Sequence, residues 1–479
     1  MNFFDLDNLR QVANGRWLRR VDRSRAVEGV SIDTRELLDG RAFVAIRGER
    51  YDGHDYLADA VDGGASLVVV ERAVPLDSVR IDVPVMQVDS TRRVLLRLAS
   101  AYRQRLQGTR VIAVTGSSGK TTTRRLINAV LATRLRGTES PKSFNNDLGV
   151  PLTVLAASTT DKYLLVEIGM NAPGEIAELT AAVQPDIGVV TSVGLAHLGG
   201  LGTPEAIARE KASLLRHLRP GGLAVANIDN PILLEHLRGI EPLVTFGESE
   251  SADLRVTARR AVSGGQEVEA NGRFGFRLRL PGRHNAVNAL AAVTVGRRMG
   301  LPDEAIAEGL AAAEAPAMRG TMQAVESGGG VLTVMNDAYN ANPDSMAAGI
   351  DSFLEIAPER GGRRIVVLGD MLELGPESPA LHARIGDRVA ASSARIDRAV
   401  FVGPLMRHAA DRAEQSLGPD RVVRLDRMDA PAARSIADML RAGDTVLLKG
   451  SRGMAMERLL AAIPTPVSAS QGHDGGAGA

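Results

Sequence analysis

The stretch VIAVTGSSGKTTT, residues 111–123, joins an apolar strand to a helix through a glycine-rich turn. The backbone N–H groups of such a turn, with the N-terminus of the following helix, bind phosphate oxygens. Lys120 would reach the terminal phosphates and Thr121 could hold Mg²⁺. Val114 stands where the long motif G-x-x-x-x-G-K-[ST] has its first glycine, so only the shorter TGxxGKT form is present. We predict a phosphate-binding loop here rather than a plain strand-to-helix turn.

The alternation of strand, turn and helix continues beyond this loop. The apolar runs YLLVEIGM, DIGVVTSVG and LAVANID follow it, separated by helical segments. Such alternation predicts a parallel, doubly wound sheet with helices on both faces. A β-rich stretch at 244–281 and a helix that starts near His284 complete a central α/β domain, which we place at 106–315.

Two further α/β domains flank the central one. Short strand-like runs, VSIDTR, AFVAI and SLVVV, precede the helical phrase RRVLLRLASAYRQRL and predict a small α/β domain over 1–105. The runs VLTVMND, RIVVLGD, AVFVG and TVLLKG restart the alternation and predict a Rossmann-like domain over 316–465. Residues 466–479 are small, polar and glycine-rich, so we expect a disordered tail.

Composition excludes several classes of protein. The chain has 57 basic and 57 acidic residues, so its overall charge gives no attraction to nucleic acid or to an anionic membrane. It has no cysteine, which rules out disulfides, thiolate nucleophiles and cysteine-ligated metals. The N-terminal MNFFDLDNLR lacks the pattern of a signal peptide, and no apolar run approaches the ~18 residues that span a bilayer. We expect a cytoplasmic protein with no nucleic-acid partner and no membrane insertion.

Lysine is unusually rare in this chain. Five of the 57 basic residues are lysine, which leaves 52 arginines. Because arginine serves nearly every surface charge, a remaining lysine is a candidate for a position that needs a compact amine able to lose its proton. For Lys162, in the loop phrase STTDKY, we interpret the lysine as a chance occurrence without a special role. The other four are Lys120, Lys142, Lys211 and Lys449.

Three residues after the central strands are candidate metal ligands, each weak alone. Glu167 ends a strand at the sheet edge where ligands of open α/β sheets bind, although it could be a surface charge. His197 lies in the loop AHLGGLGT, where a lone histidine is often only a hydrogen-bonded loop residue. Lys211 lies on the helix PEAIAREKASLLRHL, and the chain's preference for arginine on such faces favours a role in the site.

Eight motifs in unbroken order resemble those of the Mur ligase family. They are TGSSGKTTT, SFNNDLGVP, EIGMNAPGEI, the pair His197 and Lys211, HNAVNALAA, DAYNANPDSM, LGDMLELG and LLKGSRGMAMERL. DAYNANPDSM and LGDMLELG, with SIDTR and FVAIRG nearer the N-terminus, are similar to the member that joins D-alanyl-D-alanine to UDP-N-acetylmuramoyl-tripeptide. The DNPR motif typical of the member that adds the third, diamino acid residue is absent.

The resemblance implies ATP binding in the central domain with two Mg²⁺ ions. It assigns catalysis to Lys120, Glu167, His197 and Lys211, and metal binding to Thr121, Glu167, His197 and Lys211. Lys211 would be carbamylated, which turns a cation into a carboxylate-like ligand. The ATP contacts would be Thr115, Gly116, Ser117, Ser118, Gly119, Lys120, Thr121, Thr122, Asn288, Arg319 and Asp337. The substrate contacts would be Asp33, Thr34, Arg35, Asn145, Asn146, Tyr339, Asn340, Asn342 and Ser345, with Lys142 near an anionic substrate.

The implied reaction forms an amide bond through an acyl phosphate. The first domain would hold the UDP-linked tripeptide, the second ATP and the metal ions, and the third D-alanyl-D-alanine, in a monomeric enzyme. Three alternatives stay open. They are the relative that adds the third residue, a phosphate-loop NTPase that forms no amide bond, and a nucleotide-binding module without catalysis.

Overall fold

The structure, a computed structural model, describes residues 2–21, 26–36, 38–74, 83–141, 143–196, 198–327, 330–358 and 361–463. Lys142, His197 and the predicted tail at 466–479 lie outside the described residues. The described residues form three sheets of five, nine and six strands. The predicted α/β class, with one sheet in each of three successive regions, is confirmed.

The first sheet has the strand order β1-β5-β4-β3-β2. Strand β1 pairs antiparallel with β5, and the other pairs are parallel. The elements of this region are α1 (Leu6–Ala13), β1 (Arg16–Arg19), β2 (Gly29–Ser31), β3 (Arg41–Val44), α2 (Leu57–Asp62), β4 (Leu67–Val70), β5 (Val85–Gln87) and α3 (Thr91–Arg103).

One strand of this sheet is shorter than the run VSIDTR suggests. Strand β2 ends at Ser31, and a turn follows in which Asp33 Oδ1 accepts a hydrogen bond from the Arg35 N–H at 3.0 Å. An aspartate that bonds the backbone two residues ahead favours a turn over an extended strand. The polar end of the motif therefore lies in a loop.

The second sheet has the order β14-β13-β12-β11-β10-β9-β6-β8-β7. Its region comprises β6 (Arg110–Thr115), α4 (Lys120–Leu131), β7 (Gly137–Glu139), α5 (Gly149–Leu155), β8 (Tyr163–Glu167), α6 (Glu175–Val183), β9 (Ile187–Val190), α7 (Leu198–Leu201), α8 (Pro204–Arg216), β10 (Leu223–Asn227), α9 (Pro231–Leu237), β11 (Leu243–Gly247), β12 (Leu254–Val262), β13 (Gly265–Ala270), β14 (Phe274–Leu278), α10 (Arg283–Arg298) and α11 (Asp303–Ala312).

Strand β6 lies between β9 and β8 and is parallel to both. Its residues from Val111 to Thr115 are buried, as expected for a strand covered by helices on both faces. Because the three strands are parallel, their carboxyl ends at Thr115, Glu167 and Val190 lie at one edge of the sheet. The loops that follow them are therefore neighbours.

The third sheet has the order β15-β16-β20-β17-β18-β19. Edge strand β15 pairs antiparallel with β16, and the remaining pairs are parallel. This region comprises β15 (Thr321–Ser327), β16 (Gly330–Asp337), α12 (Pro343–Glu355), β17 (Arg364–Gly369), α13 (Ser378–Ala391), β18 (Arg398–Val402), α14 (Arg407–Leu417), β19 (Val422–Leu425), α15 (Ala430–Met439), β20 (Thr445–Lys449) and α16 (Arg458–Ala462).

The chain forms two compact units. The first comprises residues 1–260, 267–279 and 285–313, and the second comprises 261–266, 280–284 and the residues from 314 onward. The predicted domain boundaries near 105, 315 and 465 stay predictions. In the described ranges, no helix combines the length and the apolar character that crossing a membrane requires.

Candidate active site

The predicted phosphate loop lies between β6 and α4 in the first unit. Gly119 precedes the first helical residue with φ +83°, and Gly116 has φ +154°. Both angles are costly for residues with a side chain. A Cβ on Gly116 would overlap Thr191 Oγ1, and one on Gly119 would lie 2.8 Å from Asn288 Oδ1. Gly116 and Gly119 are therefore required for two reasons, the backbone conformation and the close packing around them.

The segment after β9 holds this loop in shape. The N–H groups of Ser117 and Ser118 donate to the backbone oxygen and to Oγ of Ser192, each at 2.9 Å. The hydroxyl of Thr191 also donates to the Ser118 carbonyl. Sequence reasoning missed Thr191 and Ser192, because no local pattern shows which loop they contact. The N–H groups of Lys120 and the next two residues have no acceptor within α4 and can bind phosphate.

Glu167, the last residue of β8, links the loop helix α4 to the segment that contains Asn145. Its side chain is 1% exposed, and Oε2 accepts a 2.8 Å hydrogen bond from the Thr121 hydroxyl. Oε1 accepts one of 2.9 Å from Asn145 Nδ2, and Arg124 Nε lies 3.5 Å from Oε2. Thus Thr121, Asn145 and Glu167, all predicted site residues, lie together at the end of β8. The buried Arg124 is a site neighbour that sequence reasoning missed.

The donor set around Glu167 fits a hard divalent cation. Carboxylate and hydroxyl oxygens are the ligands that Mg²⁺ prefers. Among the described residues, no three His, Asp or Glu side chains form a metal-binding group. Glu167 and Thr121 could therefore contribute oxygen ligands to such an ion.

Lys211, on α8, is a buried amine that the Lys120 ammonium repels. Its side chain is 1% exposed, and burial, reinforced by repulsion from the Lys120 ammonium and only partly opposed by Glu210, holds the pKa of Lys211 well below its ordinary value. Lys120 Nζ donates to the Gly116 carbonyl at 2.7 Å. Glu210 is itself engaged, because it accepts from the N–H groups of Gly174 and Ile176. Burial and the Lys120 charge thus both favour the neutral form of the Lys211 amine over the charged one.

Two asparagines from the prediction, Asn146 and Asn288, lie against backbone of the first unit. Asn146 Oδ1 accepts from the Gly149 N–H at 2.9 Å, at the start of α5. Asn288, on α10, is 6% exposed and lies against the Gly119 backbone. The amide of Asn288 therefore lies at the N-terminus of the phosphate-loop helix.

In the first sheet, the predicted substrate residues lie after β2. Arg35 forms two bonds to the Asp33 carboxylate, from Nε at 2.8 Å and from a terminal nitrogen at 2.6 Å, and Thr34 lies between them. This is a local ion pair between two residues of the turn that follows β2. The pair holds Asp33 and Arg35 in one orientation at the edge of the sheet.

In the second unit, predicted residues gather at the carboxyl end of β16. The guanidinium of Arg319 lies over the Tyr339 ring, 4.0 Å from its centroid. Asp337, the last residue of β16, accepts from Lys449 Nζ at 2.6 Å, and the same ammonium donates to the Asn340 carbonyl at 3.1 Å. Lys449 belongs to this cluster, although the sequence marked it only by its rarity and by its place in the motif LLKGSRGMAMERL.

Asn342 and Ser345 begin the helix that follows. The Ser345 N–H donates to Asn342 Oδ1 at 2.8 Å, and the Asn342 N–H donates to Ser345 Oγ at 3.0 Å. This reciprocal capping box stabilises the first turn of α12. Both side chains therefore serve the helix N-terminus, which limits what they can offer a substrate.

Comparison with known proteins gives a consistent result across the chain. Residues 26–103 match "Mur ligase family, catalytic domain", residues 114–296 match "Mur ligase middle domain", and residues 320–452 match "Mur ligase, glutamate ligase domain". Two proteins named UDP-N-acetylmuramoyl-tripeptide--D-alanyl-D-alanine ligase, from Bacillus subtilis (strain 168) and Escherichia coli (strain K12), are each 35% identical to this chain. Each alignment covers 96% of this chain and 98% of the relative.

Solved structures agree with this result. A crystal structure of MurF from Acinetobacter baumannii has a TM-score of 0.83 and 28% identity, covering 96% of this chain and 98% of that one. A MurF ligase from Thermotoga maritima in complex with ADP has a TM-score of 0.77 and 27% identity, covering 91% and 97%. Since matching regions span all three sheets and the likeness extends over nearly the full length, this chain belongs to the Mur ligase family.

Proposed function

We propose that this chain is an ATP-dependent ligase that joins D-alanyl-D-alanine to UDP-N-acetylmuramoyl-tripeptide. The product would be the UDP-linked pentapeptide precursor of peptidoglycan, and the enzyme would act as a monomer in the cytoplasm. The relatives named for this reaction match nearly the whole chain. The observation that carries the proposal is the buried Glu167 bonded to Thr121 beneath a phosphate loop, within a chain that aligns over 96% of its length with those ligases.

ATP would bind at the loop of the first unit. The first N–H groups of α4 would hold phosphate oxygens, and Lys120 would move from the Gly116 carbonyl to the terminal phosphates. Mg²⁺, held by Thr121 and Glu167, would supply charge stabilisation for the transferred phosphoryl group. The further nucleotide contacts proposed from the family pattern are Thr115, Ser117, Ser118, Thr122, Asn288, Arg319 and Asp337.

The chemistry would proceed in two transfers. A carboxylate oxygen of the tripeptide attacks the γ-phosphorus, and the bond to ADP breaks, which gives an acyl phosphate. The amine of D-alanyl-D-alanine then attacks the acyl carbon and loses a proton, and inorganic phosphate leaves with one oxygen of the former carboxylate. Lys120 and the loop N–H groups act mainly by placing the phosphoryl group and by offsetting its charge.

Lys211 would act as a carbamate. Only a neutral amine reacts with CO₂, and burial together with repulsion from Lys120 lowers the pKa of Lys211 and so favours the neutral form. The carbamate would be anionic, which removes the repulsion and adds an oxygen ligand for the second Mg²⁺ ion. His197, outside the described residues, is proposed as a further ligand on the family pattern.

The remaining predicted residues are proposed for the two acceptor substrates. Asp33, Thr34 and Arg35 would bind the uridine nucleotide. Asn145 and Asn146, with Lys142 nearby, would position the reacting groups. The loop and helix start that carry Tyr339, Asn340, Asn342 and Ser345 would bind the dipeptide, and there the N-terminus of α12 attracts its carboxylate.

An oxygen-transfer experiment tests the proposal. UDP-N-acetylmuramoyl-tripeptide labelled with heavy oxygen in its terminal carboxylate should pass label into phosphate, and only when D-alanyl-D-alanine is present. Label from solvent water alone, released without either acceptor, would identify an NTPase. Addition of diaminopimelate or lysine to a UDP-muramoyl dipeptide would identify the third-residue ligase, and nucleotide binding without phosphate release would identify a binding module.

A further inference from the structure

The chain's fifth lysine, Lys449, is buried at the centre of the third sheet. It is the last residue of β20, which pairs with β16 on one side and β17 on the other, and it is 2% exposed. Its Cα is in register with that of Asp337, the last residue of β16. A buried ammonium is costly unless oxygen atoms satisfy it, so its partners define its role.

Both recorded partners of Lys449 belong to one loop. Nζ lies 2.6 Å from Asp337 Oδ2 and 3.1 Å from the Asn340 carbonyl oxygen. One ammonium can donate to both at once because it has three hydrogens. The loop 337–342 is thereby tied at its start and in its middle to the neighbouring strand.

Packing explains why this position holds lysine in a chain with 52 arginines. Helix α12 passes close to the pair at Gly349, where an added Cβ would lie 3.0 Å from Lys449 Cδ and 3.3 Å from Asp337 Oδ2. A narrow methylene stem with a compact charged end fits this space. The broader planar guanidinium of arginine needs more room and a different set of acceptors.

We propose that Lys449 is a positioning residue that sets the orientation of Asp337 for nucleotide binding. Lys449 occupies Oδ2 and leaves Oδ1 of the same carboxylate for a ligand hydroxyl. It also fixes Asn340, next to Tyr339, whose ring supports Arg319. The inference rests on the proposed function, in which Asp337 and Arg319 contact ATP.

A double-mutant cycle tests this role. Lys449→Met removes the charge and keeps the stem, and it should raise the KM for ATP at least tenfold while the KM for UDP-N-acetylmuramoyl-tripeptide stays within twofold. In the Asp337→Asn background, the same change should alter the KM for ATP less than twofold, because Lys449 acts through Asp337. The matched control is Lys162→Met, an exposed lysine, which should leave both values unchanged.

Two outcomes would overturn the proposal. If Lys449→Met lowers kcat and leaves both KM values unchanged, the change has only reduced the folded fraction. If Lys449→Met raises the KM for ATP by the same factor in the wild-type and in the Asp337→Asn background, Lys449 does not act through Asp337. If thermal melting shows that Lys449→Met is not folded, Lys449→Gln is tested in its place by the same criteria.

Calorimetric binding of a non-hydrolysable ATP analogue separates this inference from the proposed function. A tenfold higher Kd for the ATP analogue in Lys449→Met supports the positioning role even if the wild-type chain shows no dipeptide-dependent turnover. An unchanged Kd overturns it even if the wild-type chain is an active ligase.

Discussion

Glu167→Gln is the change that most directly examines the candidate active site. Glutamine keeps the volume of the side chain and removes its charge. Its carbonyl oxygen can accept from Asn145 Nδ2, and its amide can donate to the Thr121 hydroxyl, so both recorded side-chain hydrogen bonds survive in altered form. The ion pair between Glu167 and Arg124, 3.5 Å apart, is lost.

The structure sets different magnitudes for stability and for activity. A hydrogen bond to a charged group contributes about 1.5–3 kcal/mol and a neutral one about 0.5–1.5 kcal/mol. The neutral side chain also avoids the cost of burying a carboxylate, which offsets part of that difference. We therefore expect Glu167→Gln to lower the free energy of unfolding by about 1 kcal/mol. Loss of an anionic metal ligand should lower kcat/KM by about 100-fold or more, or about 2.7 kcal/mol of transition-state stabilisation.

The assay measures dipeptide-dependent phosphate release at increasing Mg²⁺, alongside urea unfolding. Activity of Glu167→Gln should remain low at the Mg²⁺ concentration that saturates the wild-type enzyme and recover in part at higher concentrations. Glu178→Gln, an exposed position on α6, is the matched control and should behave like the wild type. A folded Glu167→Gln protein with wild-type turnover and wild-type Mg²⁺ dependence would refute the reasoning.

Three further changes have separate readouts. Gly116→Ala should abolish nucleotide binding measured by calorimetry, because φ is +154° and the new methyl group would overlap Thr191; an affinity within twofold of wild type would contradict this. Arg103→Met should lower the free energy of unfolding by about 3–5 kcal/mol, because this 1% exposed guanidinium bonds three backbone carbonyls and lies 2.9 Å from Asp186. The fluorescence of the chain's single tryptophan reports the transition in urea, and a loss below about 1 kcal/mol would count against a structural role for the pair. Burial lowers the pKa of His382 below its usual 6.5, so on acidification through that value the unfolded chain takes up a proton that the folded chain does not, and stability falls. The slope of unfolding free energy against pH below 6.5 should be flatter in His382→Gln, and an equal slope would show that His382 does not contribute to it.

Local sequence determined the elements that carry the site. The phosphate loop is contiguous in the chain, and its glycines, lysine and threonine act through backbone geometry within a few residues, so the motif predicts both the turn and its place at a strand end. Alternating apolar runs and helical segments likewise predicted three α/β domains, with a parallel sheet in the central one, because burial on both faces demands continuous apolar strands. Where a local side-chain bond competed with strand pairing, as at Asp33, the predicted strand was too long.

Tertiary structure alone decided which side chains meet. Glu167 and Thr121 are 46 positions apart, and Lys449 and Asp337 are 112 apart, yet each pair is in hydrogen-bond contact. Hydrophobic periodicity tells which face of a strand or helix is buried, but it carries no information about the partner opposite that face. Strand order brings the carboxyl ends together, and it is set by long-range packing across the sheet. For that reason the sequence could name candidate residues, and only the fold could place Lys449 against Asp337.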